Sequence, residues 1–372
     1  MPDRPLSAVV LAAGEGTRMR SSRPKPLHRL CGRPMILHVL DALAELCVQT
    51  VVVVVGHRGE WVTKTLVDHA PSSLSIAFVE QAEPRGTADA TAVGITGLPE
   101  SPLDDDGDVV VLPGDTPLVR APTLASLVRH HRHTEAAATL LTAVLVDPVG
   151  YGVVERNRDE AIVQVREGEA GGHRGEVEVA TTIHCFRQSV LAPALRRMRP
   201  SGGAEEPSLT GIYAVLHDVG YRVESVVTED PMEAAPVNDR AQLAVAEAEL
   251  RDRINERWMR RGVTMWDPER TYIDASVRLE PDVVLLPGVV LQGGCRVAAG
   301  AEIGPDCHLV DTTVGEGATV RQSSAVRAEI GGQARVGPFV SLGPGAEVPV
   351  GALVEPFTRV GGPGIDVPDG TS

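Results

Sequence analysis

Between Ile273 and Val360 an aliphatic side chain returns at nearly every sixth residue, and that spacing leaves few folds open. The positions are Ile273, Leu279, Leu285, Leu291, Val297, Ile303 and Leu309, then, after a one-residue slip, Val314, Val320 and Val326. A second slip leads into Ile330, Val336, Leu342, Val348, Val354 and Val360. Gly, Pro and Asp fill many of the places just after them, and small residues such as Ala301, Cys307, Ala318 and Ala334 recur four places on. A period of six is the hexapeptide pattern of a parallel β-helix, in which each hexad forms one side of a triangular coil. At about 18 residues per coil, the stretch holds about five coils. Cys295 and Cys307 lie two hexads apart, which places them on different sides of the prism and predicts that they are not bonded to each other.

Upstream of the repeat, "AQLAVAEAELRDRINERWMRR" (Ala241 to Arg261) has neither Gly nor Pro and predicts one long helix, placed here as a linker over residues 241–266. Before it the pattern changes again. Ser7 to Leu11, Val51 to Val55, Ser75 to Val79 and Val109 to Leu112 read as short buried strands, and Met35 to Leu46 and Thr123 to His131 have helical spacing between them. That alternation predicts parallel strands joined by helical crossovers, a Rossmann-like α/β domain over residues 1–240. A short left-handed β-helix over 267–361 and a loose tail, 362–372, complete the expected order.

The length, 372 residues, exceeds what one core commonly organises, and 43% hydrophobic against 23% charged residues permits a substantial interior. A formal net charge of −15 opposes wholesale binding to nucleic acid or an anionic membrane, so an anionic ligand must meet a local basic cluster. The N-terminal apolar run is too short for a signal peptide and no stretch reaches the roughly 20 apolar residues of a membrane span, which predicts a cytoplasmic protein. The five cysteines are scattered without a C-x-x-C pair, which predicts reduced, buried thiols rather than a disulfide framework or a zinc site. The histidines of "RHHRH" (Arg129 to His133) lack a consistent i, i+4 spacing with carboxylate support and read as a solvated helix end, and Asp104 to Asp106 as a surface loop.

Chemistry concentrates after the first strand, in "VVLAAGEGTRMRSSRPKPLH" (Val9 to His28). A strand ending in small residues and glycines lets backbone N–H groups approach a nucleotide, and the basic side chains that follow can neutralise phosphate oxygens. It is not a P-loop, since no Gly-Lys-Ser/Thr follows at that spacing, nor a dinucleotide fingerprint, since Met19 stands where a small residue is needed.

With "EQAEPRGTADA", "LPGDTPL", "GYGVV" and "PVNDR" following in order, the chain resembles the sugar-1-phosphate nucleotidylyltransferases. The added helix and hexapeptide repeats make it similar to the bacterial bifunctional UDP-N-acetylglucosamine pyrophosphorylase/glucosamine-1-phosphate acetyltransferase family. The resemblance implies attack by a sugar 1-phosphate on the α-phosphorus of a nucleoside triphosphate, UTP foremost, with pyrophosphate leaving. It implies that Leu11, Ala12, Ala13 and Gly14 hold base and ribose through backbone groups, that Arg18 and Lys25 are the catalytic contacts to the triphosphate, and that Gln81, Gly86 and Thr87 read the base. By the same resemblance Asp115 and Asn238 are ligands of Mg²⁺, an ion suited to oxygen donors, and Gly152, Glu167 and Ala180 occupy sugar-binding positions.

Several positions depart from the family. Ala180 replaces an asparagine that contacts the sugar, Thr182 a glycine, Pro113 a tyrosine, Arg85 a leucine and Gly211 an aspartate. In the family the β-helix continues for several more coils, and "SLGPG" places Ser341 and Gly343 where arginines would hold a sugar phosphate, so acetyltransferase activity is not expected. The β-helix is expected to serve as a homotrimerisation element. The sequence is compatible with three readings: UDP-N-acetylglucosamine synthesis, the same reaction with another sugar or cyclitol 1-phosphate and with UTP or dTTP as donor, or a non-catalytic homologue that binds nucleotide sugars or serves in oligomers.

Overall fold

The computed structural model of the chain describes residues 4–99, 106–146, 151–167, 175–198 and 208–361. It divides into two compact units: Met1–His28 with Pro34–Ala246, and Arg29–Arg33 with the chain from Glu247 onward.

Among the described residues, the first unit is built on a nine-stranded sheet of β1 (Leu6–Ala12), β2 (Thr50–Val55), β3 (Ile76–Glu80), β4 (Asp108–Pro113), β5 (Ala138–Val146), β6 (Gly152–Arg156), β7 (Ile162–Arg166), β8 (Glu176–Arg187) and β9 (Val223–Val227). Its main path runs β9-β5-β8-β4-β1-β2-β3, with β6 paired to β8 and β7 to β6. The four strands foreseen from sequence are present, and β1 lies parallel between β2 and β4, with Ser7 opposite Thr50 and Val109. The sheet is nonetheless mixed: β8 runs antiparallel to both β4 and β5. No helix lies between β5 and β8 among the described residues, so the chain folds back on itself there instead of crossing over.

The central strands feed two cores by simple alternation. Val10, Val51, Val53, Val110 and Leu112 point to one side and pack with α1 (Met35–Ala44), α2 (Gly59–His69) and α4 (Ala121–Thr134). Val9, Val52, Val54, Val109 and Val111 point to the other and pack with α3 (Gly86–Gly94), α5 (Gln188–Arg197) and α6 (Ile212–Asp218). Being covered on both faces is what makes these strands continuous valine runs rather than alternating ones.

On α4, Leu124, Leu127, Val128 and His131 are buried along one helical face. His131 is therefore not the solvated residue expected of "RHHRH": it is fully buried, with Nδ1 2.8 Å from Thr139 Oγ1 and Nε2 3.5 Å from Asp108 Oδ1. Arg132 donates to the same carboxylate at 2.7 Å. Asp104 and Asp105 lie outside the described residues, whereas Asp106 accepts from Ser189 N at 3.0 Å, in the first turn of α5. Four cysteines are buried and free, but Cys47 is exposed, contrary to the expectation for all five.

In the second unit, α7 (Arg240–Met259) contributes its residues from Glu247 on. Ile254 and Trp258 pack into the base of a left-handed parallel β-helix, and Asn255 Nδ2 donates to the Pro268 and Thr271 carbonyls at 2.9 and 3.0 Å. Among the described residues, seventeen strands of two or three residues stack in three parallel sheets of six, six and five. One inward row runs Leu285, Ile303, Val320, Val336, Val354; another runs Ile273, Leu291, Leu309, Ala325, Leu342, Val360. The hexapeptide reading placed Val326 in that second row. The register puts Ala325 opposite Leu309 and Leu342, with Val326 opposite Val310, so the chain takes two successive five-residue steps from Val320 to Ile330. Cys295 and Cys307 precede strands of different sheets and are unbonded, as expected. The tail, 362–372, lies outside the described residues.

Candidate functional site

β1 and β4 are adjacent and parallel, so they deliver two loops to the same edge of the sheet, where ligands of such folds bind. The loop after β1 is fixed by glycine. Gly16 has φ +64°, and a Cβ there would fall 2.6 Å from Lys25 Cβ. Gly14, by contrast, faces open space, with nothing within 4 Å of where a Cβ would stand. The loop after β4 is tied back by Gly114 N donating to Leu11 O at 2.8 Å, which brings Asp115 beside the first loop.

Two short 3₁₀ turns, Thr17–Met19 and Lys25–Leu27, then aim Arg18 and Lys25 at a third segment. The Lys25 ammonium forms an ion pair with Asp115 and donates to Asn238 Oδ1 at 2.8 Å; Arg18 donates to the same oxygen at 3.0 Å. Asn238 is held from behind, its N–H donating to Gln242 Oε1 at 2.7 Å, and Val237 N donates to Asp115 O at 2.9 Å. Arg18, Lys25, Asp115 and Asn238 line a cavity of about 220 Å³ with Leu11, Ala12 and Gly14. Asp115 and Asn238 fit a hard divalent cation in donor chemistry: one carboxylate and one amide oxygen converge on a single positive charge, here supplied by Lys25. Among the described residues no cluster of three or more His, Cys, Asp or Glu side chains competes as a metal site.

A second, larger cavity of about 530 Å³ lies on the other side of the same loop, lined by Ala13, Glu15, Gly56, Arg58, Glu80 and Gln81 among others. Gly56 lets the turn after β2 pack closely on this loop, since a Cβ there would strike Ala13 O at 2.5 Å. Gln81 is buried, its backbone N donating to Val55 O at 2.8 Å and its Nε2 to Asp89 Oδ2 at 2.7 Å. Gly86 opens α3 with φ +83°, a conformation that favours glycine, and Thr87 Oγ1 accepts from Leu209 N at 2.9 Å.

Gly152, Glu167 and Ala180 are brought together by the sheet. Ala180 pairs directly with Gly152, and a Cβ on Gly152 would meet Glu167 Cγ at 3.7 Å. Thr210 donates to the Glu167 carboxylate, fixing it. The Ala180 methyl is buried, and Thr182 beside it is exposed.

The sequence-predicted residues thus fall into a cationic group, a group around Gln81 and a group around Glu167. Sequence reasoning missed Asp89, Thr210 and Gln242, which hold Gln81, Glu167 and Asn238. Asp89 was visible as the carboxylate inside "GTADA", but the bond to a residue eight positions earlier depends on the loop's course. His28, at the end of the basic segment, is lowered to about pKa 4, by burial first and then by Arg240 and Arg23.

Residues 8–206 match the family model of the MobA-like NTP transferase domain. The chain is 40% identical over 312 residues to the bifunctional protein GlmU of Desulfitobacterium hafniense (strain DSM 10664 / DCB-2), covering 84% of this chain and 66% of that one. It is 44% identical over 316 residues to bifunctional protein GlmU of Pelotomaculum thermopropionicum, with the same coverage, and 41% identical over 314 residues to that of Mycobacterium marinum, covering 83% and 63%. The chain spans about two thirds of the length of these relatives. HddC from Yersinia pseudotuberculosis shares the fold, with a TM-score of 0.50 at 16% identity over 66% of this chain and 99% of that one. The chain belongs to the family of MobA-like NTP transferase domains and is a GlmU-like member of it.

Proposed function

We propose that the protein is a Mg²⁺-dependent uridylyltransferase that forms UDP-N-acetylglucosamine and pyrophosphate from UTP and N-acetylglucosamine 1-phosphate. The observation that carries this is the convergence of Lys25, Arg18, Asp115 and Asn238 beside the open glycine loop. A phosphate oxygen of the sugar 1-phosphate attacks the α-phosphorus; the bond from that phosphorus to the bridging oxygen breaks, and its electron pair leaves on pyrophosphate. Such a transfer asks for positioning and charge neutralisation more than covalent help. Lys25 and Arg18 supply fixed positive charge to the phosphates, and the backbone groups of Leu11 to Gly14 seat the nucleoside. Asp115 and Asn238 hold the Mg²⁺, which when bound contributes further positive charge to the phosphate oxygens. Gln81 faces the base, with Gly86 and Thr87 beside it, while Glu167, at Gly152 and Ala180, accepts sugar hydroxyls.

A second reading, transfer to a different sugar or cyclitol 1-phosphate, is favoured by one observation: a buried methyl at Ala180 beside Gly152 removes a polar contact from the sugar side. Pyrophosphate release across a grid of nucleoside triphosphates and sugar 1-phosphates separates the two. Maximal turnover with UTP and N-acetylglucosamine 1-phosphate supports the first, and maximal turnover with another pair moves the assignment. We also infer assembly as a homotrimer through the β-helix, whose Phe339 and Phe357 stack at 5.3 Å and are both exposed. Among the described residues no helix is long and apolar enough to cross a membrane.

A further inference from the structure

We propose that Asp89 is a specificity-positioning residue: by fixing which end of the Gln81 amide is presented, it selects bases that offer a ring N–H. The inference rests on the reading of the Gln81 cavity as the base site.

An amide side chain has one acceptor end and one donor end, and the two have nearly the same shape. Gln81 can therefore offer either face to a base unless something fixes it. Here both neighbours of its Nε2 are acceptors: Asp89 Oδ2 at 2.7 Å and, more distantly, the Gly86 carbonyl at 3.5 Å. Turning the amide over would set Oε1 against a carboxylate and a carbonyl, losing a charge-assisted hydrogen bond and adding repulsion. The Nε2 end is thus committed to the protein, and Oε1 takes no protein partner among the described residues. Gln81 is buried and lines the 530 Å³ cavity, so the group it has left to give is an acceptor. An acceptor at that point matches the N3–H of a uracil or thymine ring. It does not match cytosine, whose N3 is itself an acceptor.

Asp89 is suited to this task by its place in the fold. It sits in the first turn of α3, where a carboxylate is favoured by the helix dipole, and three residues after the positive-φ Gly86 that turns the chain into the helix. A purely structural role as an N-terminal acid predicts a change in stability alone. The positioning role predicts a change in base discrimination.

The test is equilibrium binding of UTP and of CTP to the full chain, by calorimetry with Mg²⁺ present, for wild type, Asp89→Asn and Asp89→Ala. Asn at 89 can meet either end of the Gln81 amide, and Ala meets neither. The expected result is that wild type prefers UTP and that both variants lose about tenfold of that preference, since a single base-edge hydrogen bond is worth about that much. The loss comes mainly from tighter CTP binding in Asp89→Asn. Variants that weaken UTP and CTP equally, or keep the wild-type ratio, overturn the inference and leave the base site standing. A wild type that binds UTP and CTP alike overturns the base site and this inference together.

Discussion

At the scale of single residues, the account turns on Lys25. Its ammonium, on the loop after β1, meets Asp115 and Asn238 Oδ1, so one charge bridges the loops after β4 and before α7. Lys25→Ala is expected to lower kcat by about 10²- to 10³-fold, in line with the removal of one preorganised charge at a transition state, with a smaller rise in the KM for nucleotide; steady-state pyrophosphate release checks it. Protonation gives a second expectation. His28 is lowered to about 4 and His184, which is fully buried against Tyr213, to about 3, burial being the largest cause in each. The unfolded chain takes up these protons near pH 6.5 and the folded chain only near pH 4 or below, so stability is complete above about 6.5 and falls as pH drops below it. Denaturant titrations at pH 7.5, 6 and 5 are expected to show that loss, and His184→Gln is expected to reduce the slope; a pH-independent midpoint contradicts it. At this scale the order of motifs pointed to Arg18, Lys25, Asp115 and Asn238, because each stands in a distinctive short string, and the fold brings these four together. Asp89, Thr210 and Gln242 were not legible, because what they hold becomes near only after folding.

At the scale of elements, the glycine loop and the β-helix coil make opposite demands on side-chain size. Gly16→Ala puts a Cβ 2.6 Å from Lys25 Cβ at a positive φ, so Lys25 must shift. We expect a cost of about 1–2 kcal/mol in stability together with a loss of activity larger than that change in folding explains; thermal unfolding and turnover measured on the same sample check both. In the β-helix, Ala325 fills an inward position whose register partners are Leu309 and Leu342. Ala325→Leu is expected to overpack that layer and cost about 1–3 kcal/mol, which a denaturation curve would register. The hexapeptide period made the β-helix legible, since one inward aliphatic per side is a repeated demand of the coil. It misplaced one strand because the inward residue there is only an alanine, while the larger Val326 fell on the six-residue count. The reversal of β8 was illegible for a different reason: strand direction depends on whether a helix intervenes, and the segment before β8 carries no helical period.

At the scale of the whole molecule, the two units offer surfaces suited to different tasks. An α/β sheet covered on both faces leaves its strand ends for a ligand, and a coil of short strands offers a long side surface for assembly. Light scattering of the full chain is expected to give the mass of a trimer; a monomer over a wide concentration range contradicts assembly through the β-helix. The central claim is nucleotidyl transfer at the Lys25, Asp115 and Asn238 cluster. Its most direct test is release of pyrophosphate from UTP with N-acetylglucosamine 1-phosphate and Mg²⁺, with Asp115→Ala as the blank. The account predicts metal-dependent release far above that blank, and release no greater than the blank with any nucleotide and sugar 1-phosphate pair would contradict it.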